Sequence, residues 1–571
     1  MENAQIADVF DEIADLLELQ EANQFRIRSY RDAARTVRDL SQRLEDMVAN
    51  NEDLTELPNI GDSTSSKIHE ILKTGTCEQL EELRGEVPEG LTQFMKVPGL
   101  GPRTAMELYR ELGIETLEDL REACEQGKVR ELKGMGEKSE QNILEGIQKL
   151  ESLTGRMLYR DAADHVESLG RHLNDLDSLT RREVAGSFRR CKETIGDLDV
   201  LVQAEDRERA TKDILDYAPI AEVTSRGEEK VSMRLDSGLQ IDFRYFEPES
   251  FGAALLYFTG SKAHNIAVRQ RAVDRDWKLN EYGLFEDDER LAGEDEESVY
   301  DRLEMAWVPP ELREDRGEVE AAVNDELPDL VELEDIRGDL QAHTDATDGK
   351  NTLREMAEAA RERGYDYFAV TDHSQRVTMA NGLDEDALRE RADEIRELNE
   401  ELDDLWLMAG IEVDILKDGR LDLEEDVLAE MDWVVASVHY NRNQERDQMT
   451  DRILSAVRSG VVHVLGHPLG RIIGQREPLG YDLDAVFEAC AENGVFVEIN
   501  AQPDRLDLPD THCKRALEAG VRFTISTDAH KRPDLGFMKY GVATARRGWL
   551  GKGDVLNTCT AKQLRKELGL D

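Results

Sequence analysis

Between residue 336 and the carboxy terminus, apolar runs that read as buried strands end repeatedly in an imidazole or a carboxylate. D-L-Q-A-H-T-D-A-T-D-G carries His343 and Asp348, F-A-V-T-D-H ends in His373, and M-A-G-I-E-V-D holds Glu412. V-V-A-S-V-H ends in His439, V-L-G-H-P contains His467, and F-T-I-S-T-D-A-H supplies Asp528 and His530. Successive β-α units gather the carboxyl ends of their strands at one face of a barrel-like sheet, where such folds keep their active sites. A single histidine in such a position is more often a hydrogen-bonded core residue than a ligand, but repetition at one strand end after another reverses that reading. Five His, two Asp and one Glu form a mixed nitrogen and oxygen donor set, better suited to zinc, manganese or iron than to calcium. Closely spaced ions of this kind activate a water and clamp the attacking and leaving oxygens of a phosphoester, so phosphoester cleavage is the predicted chemistry.

These motifs resemble the polymerase and histidinol phosphatase (PHP) domain family, over about residues 336 to 571. The resemblance implies a distorted (β/α)7 barrel that holds up to three ions, Mn2+, Zn2+ or Fe2+, on the eight residues named above. That family usually opens with His-x-His, whereas this chain reads Gln341-Ala342-His343. A neutral amide in place of imidazole predicts that one ion is held more weakly or lost.

A second carboxylate site is legible upstream, in E-V-A-G-S-F-R-R-C-K-E-T-I-G-D-L-D-V-L-V. Asp197 and Asp199 are two apart in a strand-like run, so their side chains share a face, roughly 7 Å apart at the backbone. Asp242, in L-Q-I-D-F-R-Y-F, sits on another alternating run. Three carboxylates on neighbouring strands can hold two Mg2+ or Mn2+ ions about 3.5–4 Å apart for in-line nucleotidyl transfer. Gly186 and Ser187 begin a small-residue turn that lets backbone approach phosphate, and Arg189 and Arg190 add positive charge. A lone D-x-D is usually a solvated strand face. Its combination with G-S-F-R-R and I-D-F-R resembles the nucleotidyltransferase palm of the family X DNA polymerases, to which eukaryotic polymerase beta belongs.

The next segment, A-L-L-Y-F-T-G-S-K-A-H-N-I-A-V-R-Q-R-A, resembles that family's thumb. The resemblance implies that Tyr257 and Phe258 lie against the incoming sugar, Asn265 meets the nascent base pair and Arg269 the template. It further implies that Gly186, Ser187, Arg190 and Gly196, with Arg156, cradle the triphosphate.

Helical periodicity dominates residues 1 to 150, broken at L-P-N-I-G-D (57 to 62), V-P-G-L-G-P (97 to 102) and L-K-G-M-G-E (132 to 137). Repeated breaks at intervals of about 35 to 40 residues resemble helix-hairpin-helix motifs. Their glycines, Gly61, Gly99, Gly101, Gly134 and Gly136, allow tight turns, and free N–H groups at the following helix start can bind a DNA phosphate without reading sequence. The first hairpin leads into G-D-S-T-S-S-K-I-H-E-I-L-K-T-G, where Lys67 falls on the Schiff-base lysine of the polymerase beta amino-terminal domain. Burial or the nearby Arg26, Arg28, Arg31, Arg35 and Arg38 would have to lower its pKa for 5′-deoxyribose-phosphate lyase chemistry. A surface lysine that only touches phosphate is the alternative.

At 571 residues the chain exceeds a single core. The expected organisation is multidomain α/β. A small helical domain (1–82) precedes a fingers-like helical domain (83–156), a palm (157–248) and a thumb (249–317), the last two α+β; an acidic linker (318–335) then leads to the barrel (336–571). No apolar stretch is long enough for a membrane span and no amino-terminal signal is evident, and six scattered cysteines fit a reducing interior; a cytoplasmic monomer is expected. The net charge of −52 argues against binding DNA, because a uniformly anionic surface repels phosphate. Arginines grouped at 26–38, 181–190 and 269–275 offset that argument, as does a very salty cytoplasm, where the Debye length is about 3 Å or less. A halophilic archaeal host is therefore expected.

Three functional expectations follow. The first is a family X repair polymerase that fills gaps or acts at nicks in DNA with dNTPs, in base excision repair, coupled to a PHP 3′-5′ exonuclease, 3′-phosphatase or abasic-site endonuclease. The second is a polymerase whose barrel is only a metal-stabilised structural or partner-binding module. The third is a small-molecule phosphatase of the histidinol-phosphatase type.

Overall fold

The computed structural model describes residues 156–570 other than Gln475, and residues 3–147 other than 21, 40–43, 50–52, 58, 87–90, 95–96, 98–99, 115, 133–134, 137 and 145–146. The chain divides into two compact units, Met1–Gly155 and Arg156–Asp571.

The first unit is helical. Helices Asn3–Leu19 and Gln24–Asp39 pack together because Ile6, Phe10, Ile13 and Leu17 on one and Ile27, Tyr30, Ala34 and Val37 on the other recur at helical spacing and are buried. Helices Asp62–Thr74 and Pro102–Leu112 each start at a glycine, Gly61 and Gly101, whose side chain offers no cap. Asn59, at the place of a glycine in the first hairpin, has φ +62°, the left-handed conformation that Asn tolerates better than most residues. Gly136 likewise precedes a helical turn, with the Glu140 N–H donating to its carbonyl. Gly99 and Gly134 lie outside the described residues.

The second unit opens with a five-stranded sheet in the order Arg181–Val184, Asp197–Gln203, Gln240–Tyr245, Lys230–Leu235, Ile220–Arg226. All neighbours are antiparallel except the central pair Asp197–Gln203 and Gln240–Tyr245, which run parallel. Leu198, Val200 and Val202 face the core beside helix Tyr159–Asn174, leaving Asp197 and Asp199 on the opposite face. Helices Phe251–Thr259 and Lys262–Val273 and a three-stranded antiparallel sheet follow.

The carboxy-terminal part is a seven-stranded, wholly parallel sheet whose strands are ordered as in the sequence, from Gly338–Asp339 to Phe523–Ser526. Its strands are buried on both faces, as parallel sheets covered by helices are. A bridge between Ala342 and Ala529 joins the first and last strands, with the His343 N–H donating to the Ala529 carbonyl (2.8 Å) and the Asp528 N–H to that of Gln341 (3.0 Å). The ring thus closes through the segments that carry the candidate ligands.

One expectation needs correction. Residues 318–335 are not a free acidic linker. Glu318–Asn324 is a helix, Glu318 is fully buried against His264 (2.7 Å), and Leu330 and Val331 pack in the core. Composition alone concealed the partners that turn this acid inward. No helix among the described residues is long and apolar enough to cross a membrane.

Candidate active sites

The barrel brings all eight predicted ligands together at the carboxyl ends of its strands. His343 Nε2 lies 3.0 Å from Asp528 Oδ1 and 3.8 Å from Glu412 Oε2. His467 Nε2 and His439 Nε2 approach Glu412 Oε1 at 2.9 and 3.4 Å. Asp348 Oδ2 lies 3.5 Å from His373 Nε2 and 3.4 Å from His530 Nε2. Two sets converge tightly enough to share one cation: His343, Asp348, His373 and His530, and His373, Glu412 and His439.

The cluster is only partly hydrogen-bonded: His343 Nε2 meets Asp528 and His467 Nε2 meets Glu412 in hydrogen-bond geometry, whereas other close donors do not. His373 Nδ1 and Glu412 Oε2 are 2.7 Å apart, yet neither makes a hydrogen bond, and both are buried. His343 Nδ1, His467 Nδ1 and Asp348 Oδ1 are equally buried and unpartnered. Close donors without hydrogen-bond alignment are what residues converging on a divalent cation produce, so the set fits metal. Burial alone would deprotonate these imidazoles, but Glu412 and Asp348 raise His373 to about 10, and Glu412 and Asp414 raise His439 to about 9. His530 is held at about 9 against its burial by Asp348 and Asp528. Against burial, the imidazolium charges of His439 and His373 keep Glu412 well below the usual carboxylate range. The carboxylates thus demand positive charge here.

Gln341 also points into the barrel interior. It is fully buried, and neither its Oε1 nor its Nε2 has a hydrogen-bond partner. Its carbonyl oxygen is a neutral donor that hard cations accept.

Several supporting residues were not singled out from sequence. Asp414 accepts hydrogen bonds from the His439 N–H (2.9 Å) and faces its Nδ1 (3.2 Å), which fixes the ring. Asp372 accepts from the Thr344 N–H and hydroxyl (both 2.7 Å) and so holds the loop after His343. Glu498, fully buried in mid-strand, accepts from the His467 N–H (2.6 Å). Asn500 Nδ2 then spans Glu498 (3.2 Å) and Asp528 (3.1 Å). Burial, then the charge of Asp528, pushes the Glu498 carboxyl well above its ordinary range. Backbone strain sits here too, with φ of +51° at Asp528 and +24° at His467.

In the palm, Asp199 and Asp242 are paired directly across the parallel strands. Arg244 Nε contacts Asp199 Oδ1 at 3.1 Å, and Lys230 Nζ contacts Asp242 Oδ2 at 2.6 Å. Burial raises the Asp199 carboxyl despite Arg244. Burial would raise Asp242 as well, but bonds from Lys230, Ser232 and Gln240 lower it. Asp197 is exposed, and the three carboxylates do not converge on one point as the barrel ligands do. Arg244 and Lys230 supply the positive charge that divalent ions would bring, so this acid set also fits metal. Arg244, two residues after Asp242 on the same strand face, was legible in I-D-F-R.

Around this centre, Gly186 has φ +67° and would place a Cβ 3.5 Å from Asp199 Oδ2. Ser187 follows it in the short turn Gly186–Arg189, and Gly196 immediately precedes Asp197. Arg190 donates to Glu314 (3.0 Å) and Arg156 to the hydroxyl and carbonyl of Thr194 (2.9 and 2.6 Å). Tyr257, Asn265 and Arg269 line one small pocket, with Asn265 Nδ2 donating to the Tyr257 carbonyl at 2.7 Å. Phe258 instead packs against the Arg244 guanidinium, 4.4 Å from its ring centre.

The arginine groups are largely engaged within the protein. Arg31 pairs with Asp11, Asp15 and Glu18, Arg189 with Glu296, and Arg275 with Glu304. They therefore offset the acidic surface less than their clustering suggested. Lys67, partly exposed, donates to Ser63 (3.1 Å) and lies 5.9 Å from the Tyr30 ring centre. The side chains of Arg35 and Arg38 lie outside the described residues.

Comparison with known proteins agrees along the whole chain. Residues 1–77 match a helix-hairpin-helix domain, 91–149 a SAM-like helix-hairpin-helix tandem, 156–237 the DNA polymerase beta palm, 254–314 the DNA polymerase beta thumb, and 339–502 the PHP domain. The DNA polymerase/3′-5′ exonuclease PolX of Bacillus subtilis (strain 168) is 38% identical over 568 residues, covering 99% of each chain. DNA polymerase lambda of Arabidopsis thaliana is 24% identical over 54% of this chain and 62% of its own. A probable phosphatase of Thermoanaerobacter sp. (strain X514) is 28% identical over 37% of this chain and 86% of its own. With a full-length relative of that similarity and each part in the same order, the chain belongs to the family X DNA polymerases that carry a carboxy-terminal PHP domain.

Proposed function

We propose that the chain extends a DNA primer across short gaps with dNTPs, and that its barrel removes nucleotides or phosphate from 3′ ends. The observation that carries the reading is the presence of two separate acid centres in one chain: Asp199 opposite Asp242, and the six converging barrel residues with His467 and Asp528 in contact with them. Asp197, Asp199 and Asp242 would hold Mg2+ or Mn2+ against the triphosphate and the primer 3′ oxygen. Divalent ions held at either centre would lower the pKa of the attacking oxygen and neutralise charge on the reacting phosphate. Gly186, Ser187, Arg190, Gly196 and Arg156 would bind the triphosphate; Arg190 must then exchange Glu314 for phosphate. Tyr257 and Phe258 would crowd the sugar, Asn265 the new base pair and Arg269 the template.

In the barrel, His343, Asp348, His373, Glu412, His439, His467, Asp528 and His530 would hold up to three Mn2+, Zn2+ or Fe2+ ions. The buried, unpartnered Gln341 supports a further oxygen donor at the position where the family carries histidine. The probable phosphatase that the chain resembles aligns with only 37% of it, which favours a polymerase-linked nuclease over a free-standing phosphatase. Gly61, Gly99, Gly101, Gly134 and Gly136 would present helix-start N–H groups to DNA phosphates, and Lys67 would attack an opened abasic sugar.

The acid excess suits a host with a salty interior, where distant acids are screened. Binding would then depend on hairpin hydrogen bonds and persist in molar KCl. The deciding experiment is an assay on one-nucleotide-gapped and 3′-phosphorylated duplexes, with Mg2+ and Mn2+ compared in high KCl. Gap filling and 3′-end removal by the same preparation are expected; absence of nucleotide addition under every condition overturns the proposal.

A further inference from the structure

Three successive loops at the carboxyl end of the barrel each carry an arginine. Arg442 lies three residues after His439, Arg476 lies in the loop that contains His467, and Arg505 follows Asn500 in the loop after strand Phe496–Asn500. In a chain with 124 acidic and 72 basic side chains, surplus acid is everywhere available. Yet among the described residues none of these three arginines forms an ion pair. Arg442 donates instead to backbone carbonyls, foremost that of Gly470 (2.9 Å). Arg476 Nε is buried without a hydrogen-bond partner.

Hydrogen bonds knit the three loops together beside these arginines: Arg442 Nη2 reaches the carbonyl of Glu477, next to Arg476 (3.5 Å), and the Ile473 N–H donates to the carbonyl of Asp504, next to Arg505 (2.8 Å). Burial, then the charges of Arg476 and Arg505, lowers Arg442 to about 10, and burial with Arg505 lowers Arg476. Asp504 and Asp507 offset part of this repulsion without pairing, and the Asp507 oxygens are turned to the Leu469 N–H (3.2 and 3.1 Å). The loop that carries Arg505 also touches the metal centre, since Gln502 Nε2 donates to the Asp528 carbonyl (2.7 Å). Half-buried like charges without counterions are unfavourable unless a ligand supplies the opposite charge. Guanidinium forks match phosphate oxygens in shape and donor geometry.

We propose that Arg442, Arg476 and Arg505 form a subsite for the phosphodiester next to the one being cleaved, so that the barrel grips a nucleic-acid strand rather than an isolated phosphate. This rests on the reading of the barrel as a 3′-end nuclease. The subsite binds the strand equally before and during the reaction, and so acts on KM more than on kcat.

The test compares the wild-type chain with Arg442→Gln, Arg476→Gln and the double variant Arg442→Gln/Arg505→Gln. The substrates are an ordinary oligonucleotide and one in which the linkage adjacent to the scissile phosphate is a neutral methylphosphonate. The expected result is a KM about tenfold higher for the double variant on the ordinary strand with kcat little changed, a similar rise for wild type on the neutral linkage, and no further rise when both are combined. Multiplicative effects, or variants indistinguishable from wild type, overturn the proposal. A second arm uses thymidine 3′-monophosphate, which has no neighbouring phosphodiester. Equal hydrolysis by all variants supports the subsite, and an equal loss there means that the arginines hold the reacting phosphate and overturns it. If wild type cleaves no DNA, the nuclease reading fails separately, and calorimetric titration of the dinucleotide pTpT into the metal-free chain decides. Affinity lost in the double variant upholds the anion site, and unchanged affinity removes it. Arg476→Gln, in a surface loop, keeps every arm readable if the double variant folds poorly.

Discussion

Asp199 and Asp242 face each other across two parallel strands, and Arg244 bridges them, 3.1 Å from one carboxylate and 3.5 Å from the other. The two acids stand 43 positions apart in the chain (242 − 199 = 43), so their pairing is made by the sheet and not by a local motif. Replacement of either acid by its amide keeps shape and removes the charge that divalent ions need. We expect Asp199→Asn and Asp242→Asn each to reduce nucleotide addition on a gapped primer by more than about a hundredfold. Release of 3′ nucleotides should persist. The reverse pattern is expected for His373→Gln, measured on the same labelled strand, and a variant that silences both reactions contradicts two independent centres.

Gln341 permits a gain-of-function test. An imidazole at this buried position offers a stronger nitrogen donor than the amide oxygen. Gln341→His should therefore raise the equivalents of Mn2+ or Zn2+ retained after gel filtration and increase cleavage severalfold at limiting metal, with nucleotide addition unchanged. Equal metal content in the two proteins, measured by mass spectrometry, would show that the amide already serves or that the position lies outside the ligand set.

The parts of the site that were legible in sequence are those in which function coincides with local pattern. Most barrel ligands lie at or just beyond the end of an apolar run, and parallel order carries those ends to one face, so His343 and His530 meet although one follows the first strand and the other the last. Asp197 and Asp199 share a face by strand alternation alone. What stayed hidden depends on partners distant in sequence. Glu498 sits in mid-strand, and its function is read only from the His467 backbone it accepts. Arg189 reads in sequence as positive charge beside the phosphate turn, but its charge is taken up by Glu296. Glu318 looked like linker because nothing near it in sequence announces His264. Burial of charge is decided by tertiary pairing, which composition cannot convey.

Asp414 offers a test of positioning without contact to substrate. Its carboxylate holds the backbone N–H and faces Nδ1 of His439, leaving Nε2 directed at Glu412. Asp414→Asn should weaken metal affinity about 10–100-fold while the fold persists, because the ring loses its orienting charge. Chelator competition monitored by retained metal checks this, and a shift in cleavage towards higher Mn2+ concentration should accompany it.

Glu296 gives a prediction for stability and acid sensitivity that neither metal centre shares. Its oxygens take both forks of Arg313, at 2.6 and 3.1 Å, and both of Arg189, at 2.7 and 2.8 Å, with the Trp307 N–H at 3.1 Å. Arg313 is fully buried, so removing the carboxylate strands a charge in the interior, and Glu296→Gln should cost about 3–5 kcal/mol of stability in denaturant titration. Burial would raise the carboxyl, but the two arginines hold it at about 2, below its ordinary 4.5. A depressed folded-state pKa means that the unfolded chain binds the proton first. The stabilisation is therefore complete above about 4.5 and drains away as pH falls from there towards about 2. Wild type should lose stability steeply across that window, whereas Glu296→Gln, already weaker, should lack this component of the slope. A variant whose acid limb runs parallel to wild type would show that the arginines are neutralised elsewhere and that Glu296 does not hold the thumb to the palm.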